Sequence, residues 1–367
     1  MFSIWKRPNY FFLIVLGFCF QYGNAQTIEP KGGTSPFDIA VQRLSPRVAV
    51  FYGDPWDNGI VALAAKKGIV VVDAPFSKTI AQGFRNAIQA EFKRNDFIYL
   101  INTHEHVCHV GGNEAYADLP IIGHESLRRE MLKSMDDSNR ITNVRGIGER
   151  EMARSRERLL KSDPKKLQDP GFINYEKGWQ IIQEDYRKNP MIIPPTITFD
   201  REMTLHLGDV TMRLMYYGHA HGIADIVVSI PEENLILTAG IFYPINVPIA
   251  DKVTEDATPE IVDNWFVVMH GLLNEANDST RFLASHGHTV MKKEQVQQFV
   301  SYLEVMWNSI RRAKSNGKTL EQVKTEMPLK DFHEIAKLPN EKYRGTEWEI
   351  LDIHQQNIEH LWKVLGR

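Results

Sequence analysis

The chain has 367 residues, 43% of them hydrophobic and 24% charged, with a formal net charge of −3. Such a chain is globular and long enough to bury a sizeable core. Its mildly acidic balance leaves no basic surface of the kind that nucleic-acid binding requires.

The first residues read as a targeting segment rather than as part of a fold. Lys6-Arg7 form a positive n-region, Tyr10 to Phe20 form an apolar run, and Gly23-Asn24-Ala25 supply small residues ahead of Gln26. This is the layout of a cleaved secretory signal peptide over 1–25, and it is shorter than the roughly 20 apolar residues of a spanning helix. Phe18 is too bulky to stand before a lipid-bearing Cys19. The expected location is therefore periplasmic or secreted, with no membrane attachment after cleavage. Cleavage leaves Cys108 as the only cysteine, so an intramolecular disulfide is ruled out.

Short β-like runs follow at Val48 to Phe51, Ile60 to Leu63 and Ile69 to Val72. Gly53, Pro55, Asn58-Gly59 and Gly68 separate them, which predicts a β-meander. Apolar residues recur at helical spacing from Ile80 to Phe92, and Phe97 to Asn102 reads as the next strand. Residues from about 125 to 190 are charged and helix-rich. Met203 to Leu207 and Val210 to Met215 flank Gly208-Asp209 as a hairpin. Further strands are predicted at Ile226 to Ile230, Leu235 to Leu237 and Phe282 to Ala284. Helices are predicted at Pro259 to Leu273, Lys293 to Ser315 and Glu347 to Val364. The alternation implies an α/β arrangement with sheets packed inside helices.

The chemistry concentrates after the Phe97 strand. Thr103-His104-Glu105-His106-Val107-Cys108-His109 sets three imidazoles and a thiol within six residues of a chain that has 13 histidines and two cysteines in all. In an extended segment His104, His106 and Cys108 share one face. Imidazole and thiolate together suit Zn²⁺ among the common biological metals. Two later strand ends add histidines in glycine-containing turns: Gly218-His219-Ala220-His221-Gly222 and Ser285-His286-Gly287-His288. His124, His206, His270, His333, His354 and His360 fall in regular helical or strand patterns and read as structural.

These residues, in this order, resemble the metallo-β-lactamase-fold hydrolase superfamily from about Val48 to Val290. The His-x-His-x-Asp-His hallmark is matched by His104, His106, Cys108 and His109, followed by Gly111-Gly112-Asn113. Val72-Asp73 matches an early strand ending in aspartate. Aligning Gly218 and Asp225 with the family's third-histidine segment puts His221, not His219, at the ligand position. Ser285-His286-Gly287 matches the late Gly-His-Gly element. The chain departs from the pattern twice: Cys108 stands where the family has a metal-binding aspartate, and Gly240 stands where a bridging aspartate is usual.

The resemblance implies an α/β fold of the αββα sandwich type over 26–290, with a helical insert at about 125–190 and C-terminal helices over 291–367. It implies a first metal site of His104, His106 and His221, a second of Cys108, His109 and His286, and a supporting role for Asp73. One or two Zn²⁺ per chain are expected, the lost bridging ligand favouring a weaker second site or a single ion. The expected activity is that of a secreted hydrolase using a metal-bound hydroxide on a small amide, lactam, lactone or ester. His219 and His288 are candidate proton carriers, and Trp56, Phe242 and Tyr243 candidate walls of a substrate pocket. A non-catalytic metal or ligand binder and an iron-dependent redox enzyme are the alternatives. The only partner expected is the small-molecule substrate.

Overall fold

A computed structural model describes residues 38–55, 58–135, 140–188, 190–242, 257–286, 290–328 and 347–366. The predicted signal segment lies outside the described residues, as do Trp56, Tyr243, His288 and His333.

The meander exists and begins one strand earlier than predicted. Strands β1 (Ala40–Arg43), β2 (Val48–Tyr52), β3 (Ile60–Ala65) and β4 (Gly68–Val72) pair antiparallel in sequence order. Helix α1 (Lys78–Phe92) then crosses over to β5 (Phe97–Ile101), which runs parallel to β4. Its end is marked by Lys93 in the left-handed conformation, whose N–H returns to Gln89. A four-residue helix α2 (Val107–Val110) precedes β6 (Ile121–His124). Helices α3 (Glu125–Met135), α4 (Arg140–Ser162) and α5 (Pro170–Arg187) come next, and β7 (Ile197–Phe199) completes a seven-stranded sheet in the order β1 to β7.

The second half builds a second sheet. The hairpin β8 (Glu202–His206) and β9 (Thr211–Tyr216) continues into β10 (Ile226–Ile230) and β11 (Leu235–Ala239). Helix α6 (Pro259–Glu275), N-capped by Thr258, leads to β12 (Arg281–Ala284) parallel to β11, and β13 (Val290–Lys292) closes the edge. Helices α7 (Lys293–Ser315), α8 (Leu320–Glu326) and α9 (Glu347–Val364) finish the chain.

Strand alternation decides the layering. Val48, Val50 and Tyr52 of β2, Val70 and Val72 of β4, Leu214 of β9 and Leu237 of β11 point between the two sheets. The intervening residues Ala49 and Phe51 of β2 and Ile69 and Val71 of β4 point outward, under Ile80, Phe84 and Ile88 of α1 and Trp179 and Ile182 of α5. On the far side, Val227 of β10 and Ile236 of β11 lie under Trp265 and Met269 of α6, Phe299 and Leu303 of α7, and Ile358 and Leu361 of α9. Strands buried on both faces read as continuous apolar runs, which is why β2 and β4 show little polar alternation. The result is the helix–sheet–sheet–helix arrangement expected from the sequence. Among the described residues no helix is long and apolar enough to cross a membrane.

The topology also sets where a site forms. β4 and β5 are parallel and end on the same edge of the first sheet. β9, antiparallel to β10, which is itself antiparallel to β11, shares its direction with β11 and β12. The segments after β4, β5, β9, β11 and β12 carry Asp73, His104 to His109, His221, Gly240 and His286. An isolated bridge between Asn58 and His286, with the Gly59 N–H donating to Ser285 O at 2.7 Å, joins the loop before β3 to the end of β12 there.

Leu237, 3% exposed, sits in the layer between the sheets. Leu237→Ala should destabilise the protein by about 2–5 kcal/mol, through lost transfer energy and an unfilled cavity, as read from urea unfolding midpoints.

Candidate metal centre

Three imidazoles converge at the first cluster. His104 Nε2 lies 3.2 Å from His106 Nδ1, and His221 Nε2 lies 3.2 Å from the same His106 nitrogen. Cys108, His109 and His286 form the second cluster, with His109 Nε2 and His286 Nε2 3.3 Å apart. Within each cluster the candidate ligand atoms all lie within 4.8 Å of one another. Two nitrogens about 2.05 Å from one tetrahedral ion stand about 3.3 Å apart, and these three nitrogen–nitrogen distances have that length. His221, and not His219, joins His104 and His106.

One carboxylate organises both clusters. Asp73 follows β4 with a left-handed backbone (φ 69°), a conformation that costs energy for most residues but is more accessible to aspartate. Its Oδ1 accepts the Thr103 N–H at 2.8 Å, and its Oδ2 accepts the Thr103 hydroxyl at 2.9 Å. Oδ2 also takes the Nδ1–H of His109 at 2.9 Å. The Thr103 oxygen in turn accepts from His104 Nδ1 at 3.0 Å. In this tautomer each imidazole spends its Nδ1–H on support and leaves the Nε2 lone pair facing its cluster. Thr103 was not singled out from the sequence; the signal was its place directly before the first ligand histidine.

A second carboxylate shapes the other ligand loop. Asp225, fully buried, accepts the backbone N–H groups of Ala220, His221 and Gly222 at 3.3, 2.6 and 2.8 Å through one oxygen. Glu105, between two ligand histidines, accepts the next N–H, that of Ile223, at 2.8 Å. A Cβ at adjacent Gly222 would stand 2.7 Å from Glu105 Oε1, so a side chain there would displace the Glu105 carboxylate. The two ligand-bearing loops are thus latched to each other by Glu105. Glycine in this loop pointed to a tight turn in the sequence, but the latch depends on a contact across 118 residues.

Burial and charge set the titration of these groups. Burial, reinforced by the neighbouring imidazoles, pushes His104 well below the ordinary histidine pKa and keeps it neutral. Burial works against charge on His109 too, but Cys108 and Asp73 beside it outweigh that and hold its pKa well above the ordinary value. Burial pushes the Cys108 thiol up. Burial, with Glu105 adding to it, raises Asp225 against its three N–H bonds. A cation against the same nitrogens and sulfur works the other way on His109 and Cys108, since it needs imidazole lone pairs and a thiolate.

The substituted position at Gly240 has a steric reason. Ala239 before it is left-handed (φ 51°), and a Cβ built on Gly240 would overlap the His221 ring, 2.7 Å from its Nε2. A side chain at this position would push the His221 ring from its present place.

Other predicted roles resolve plainly. Phe242 is not a pocket wall: it is 1% exposed and packs edge-to-face on Phe299, because its strand end turns into the outer core. His219 lies outside both clusters, its carbonyl held by the Asn264 amide at 2.9 Å. His124 is buried and stacks on Tyr216, and His354 is buried against Tyr302 and the Met327 carbonyl.

Comparison with known proteins accords with this geometry. The metallo-beta-lactamase superfamily profile matches residues 58–288, more than half of the chain. No curated protein matches the sequence. Among solved structures, the sec-alkylsulfatase Pisa1 from Pseudomonas sp. is similar with a TM-score of 0.56 and 13% identity, over 88% of this chain and 49% of that one. This chain therefore spans about half the length of that sulfatase. A metallo-beta-lactamase from Pontibacter korlensis is similar with a TM-score of 0.46 and 14% identity, over 75% of this chain and 97% of that one.

Asp73→Asn should weaken metal binding about 10- to 100-fold, because both clusters lose an oriented imidazole; competition with a chelating dye measures it. Gly240→Asp should lower the bound metal rather than add a bridging ligand, as read by elemental analysis of the purified variant.

With the hallmark segment, its supporting aspartate and the two-sheet architecture in place, the chain belongs to the metallo-beta-lactamase superfamily.

Proposed function

We propose that this protein is a zinc-dependent hydrolase of small amides, lactams, lactones or esters, working in the periplasm or outside the cell. The observation that carries this reading is the pair of converging ligand clusters supported by one carboxylate. In it His104, His106 and His221 hold the first zinc ion, and Cys108, His109 and His286 a second, weaker one. A mixed imidazole and thiolate set favours zinc over magnesium or manganese. When bound, zinc supplies Lewis acidity and lowers the pKa of water toward about 7.

The chain's own residues do the positioning. Thr103 and Asp73 fix the ring planes and tautomers of His104 and His109. Asp225 and Glu105 hold the His221 loop against the His104 loop. Burial of His104 keeps it neutral, the state in which it binds metal. His106 and His286 are half-buried and form the open side through which a substrate carbonyl arrives. Cys108 in place of aspartate leaves a group that is a strong zinc ligand but a poor proton relay, so this centre depends on binding more than on internal proton transfer.

Elemental analysis of the protein purified without added metal tests the reading. Zinc at one to two equivalents supports it, and turnover of lactone, ester, β-lactam and alkyl sulfate panels then identifies the bond cleaved. Iron as the dominant metal favours redox chemistry, and absence of metal overturns the reading. His221→Ala should remove most bound metal, whereas His219→Ala should retain it; the reverse would reassign the third ligand. Because Cys108 must lose a proton to bind and burial holds its pKa up, zinc occupancy of the second cluster should fall earlier than that of the first as pH is lowered. A zinc titration repeated across pH reads this.

A further inference from the structure

A cavity of about 280 Å³ lies between the ligand loop and the helical segment of residues 125–190. One wall comes from the loop itself. His106 caps α2, and Val107 and Val110, three residues apart, share one face of that short helix and line the cavity. Cys108 and His109, on its remaining faces, belong to the second ligand cluster. The cavity and the second ligand cluster therefore take different faces of the same short helix. The facing wall comes from Met131 of α3, Val144 of α4 and Tyr186 of α5, all buried. The Tyr186 hydroxyl is already used, donating to the Phe76 carbonyl at 3.1 Å, so the ring offers only its apolar surface. Met191, 59% exposed, stands at the rim.

The charges on the lining have one sign. Its ionisable acids are Glu105 and Glu130, and no lysine or arginine lines it among the described residues. Glu130 is paired with Lys133, whereas the hydrogen bond found at Glu105 comes from a backbone N–H. Such a wall accepts apolar and uncharged or cationic groups and repels anionic ones.

We propose that this cavity is the specificity pocket of the metal centre and receives an uncharged alkyl or aryl group of the substrate. The inference rests on the hydrolase reading for the word substrate, but the pocket's preference stands apart from metal chemistry. It selects hydrophobic esters or amides over molecules that would place a carboxylate or sulfonate there. The 125–190 segment then has a definite role: it supplies the wall opposite the ligand loop.

Two fluorescent probes with one carbon frame test the pocket on the full-length protein after metal removal by a chelator. N-phenyl-1-naphthylamine is neutral, and 8-anilino-1-naphthalenesulfonate adds a sulfonate. The neutral probe should bind about tenfold or more tightly than the anionic one. Ile192 also lines the cavity, and Ile192→Trp and Met131→Trp, each checked for native circular dichroism, should each weaken the neutral probe about tenfold. Glu105→Gln should narrow the gap between the two probes. Equal binding of both probes, or neutral-probe binding unchanged in a correctly folded Ile192→Trp protein, would overturn the proposal. Metal content, measured separately, distinguishes this outcome from failure of the hydrolase reading: a protein that binds the probe but no metal keeps the pocket and loses the enzyme. With metal restored, kcat/KM for p-nitrophenyl esters should rise from acetate to hexanoate in the native protein. The same series should stay flat in Ile192→Trp.

Discussion

The Asp73 carboxylate is the interaction on which the rest of the site depends. It sits where β4 stops, in a backbone conformation unusual for a residue with a side chain, and makes three hydrogen bonds into the loop after β5. Because β4 and β5 are parallel neighbours, that reach is a short one. The carboxylate orients His109 directly and His104 through Thr103, so one buried charge aligns imidazoles of both ligand clusters. Burial of an uncompensated carboxylate is costly, and the hydrogen bonds found here offset that cost.

The site is assembled from both halves of the molecule. The first sheet contributes the dense ligand segment, and the second contributes His221 and His286 at the ends of β9 and β12. Their convergence follows from two separate parallel pairings, β4 with β5 and β11 with β12, which put the relevant strand ends on common edges. Glu105 and Asp225 then remove the remaining freedom by gripping consecutive N–H groups of the His221 loop. Fixing these groups before a ligand arrives reduces the ordering cost of binding.

Much of this was legible in the sequence because the signals are local. Strands such as β2 and β4, buried on both faces, announce themselves as apolar runs, and long helices such as α1 and α7 carry their periodicity within a few turns. The ligand segment from His104 to His109 is visible because its residue types are rare and adjacent. Short edge elements escaped: β1, β7 and β13 have three or four residues and owe their state to a neighbouring strand. The sequence left Phe242 open between a pocket wall and ordinary packing, because an aromatic near a motif looks the same whether it faces a cleft or, as here, Phe299. Thr103 and Glu105 act through partners 30 and 118 residues away, and no pattern within a window contains such contacts.

The outer face of the second sheet is covered by helices that follow the last strand. Phe299, Leu303, Met306 and Ile310 of α7, with Ile358 and Leu361 of α9, share one core with Val227, Ile236 and Phe282. The superfamily match ends at residue 288, before either helix begins. Helices that complete this core therefore lie beyond the span recognisable by descent. A gene fragment trimmed to the recognisable span would keep α6 on that face and strip away the apolar cover that α7 and α9 supply.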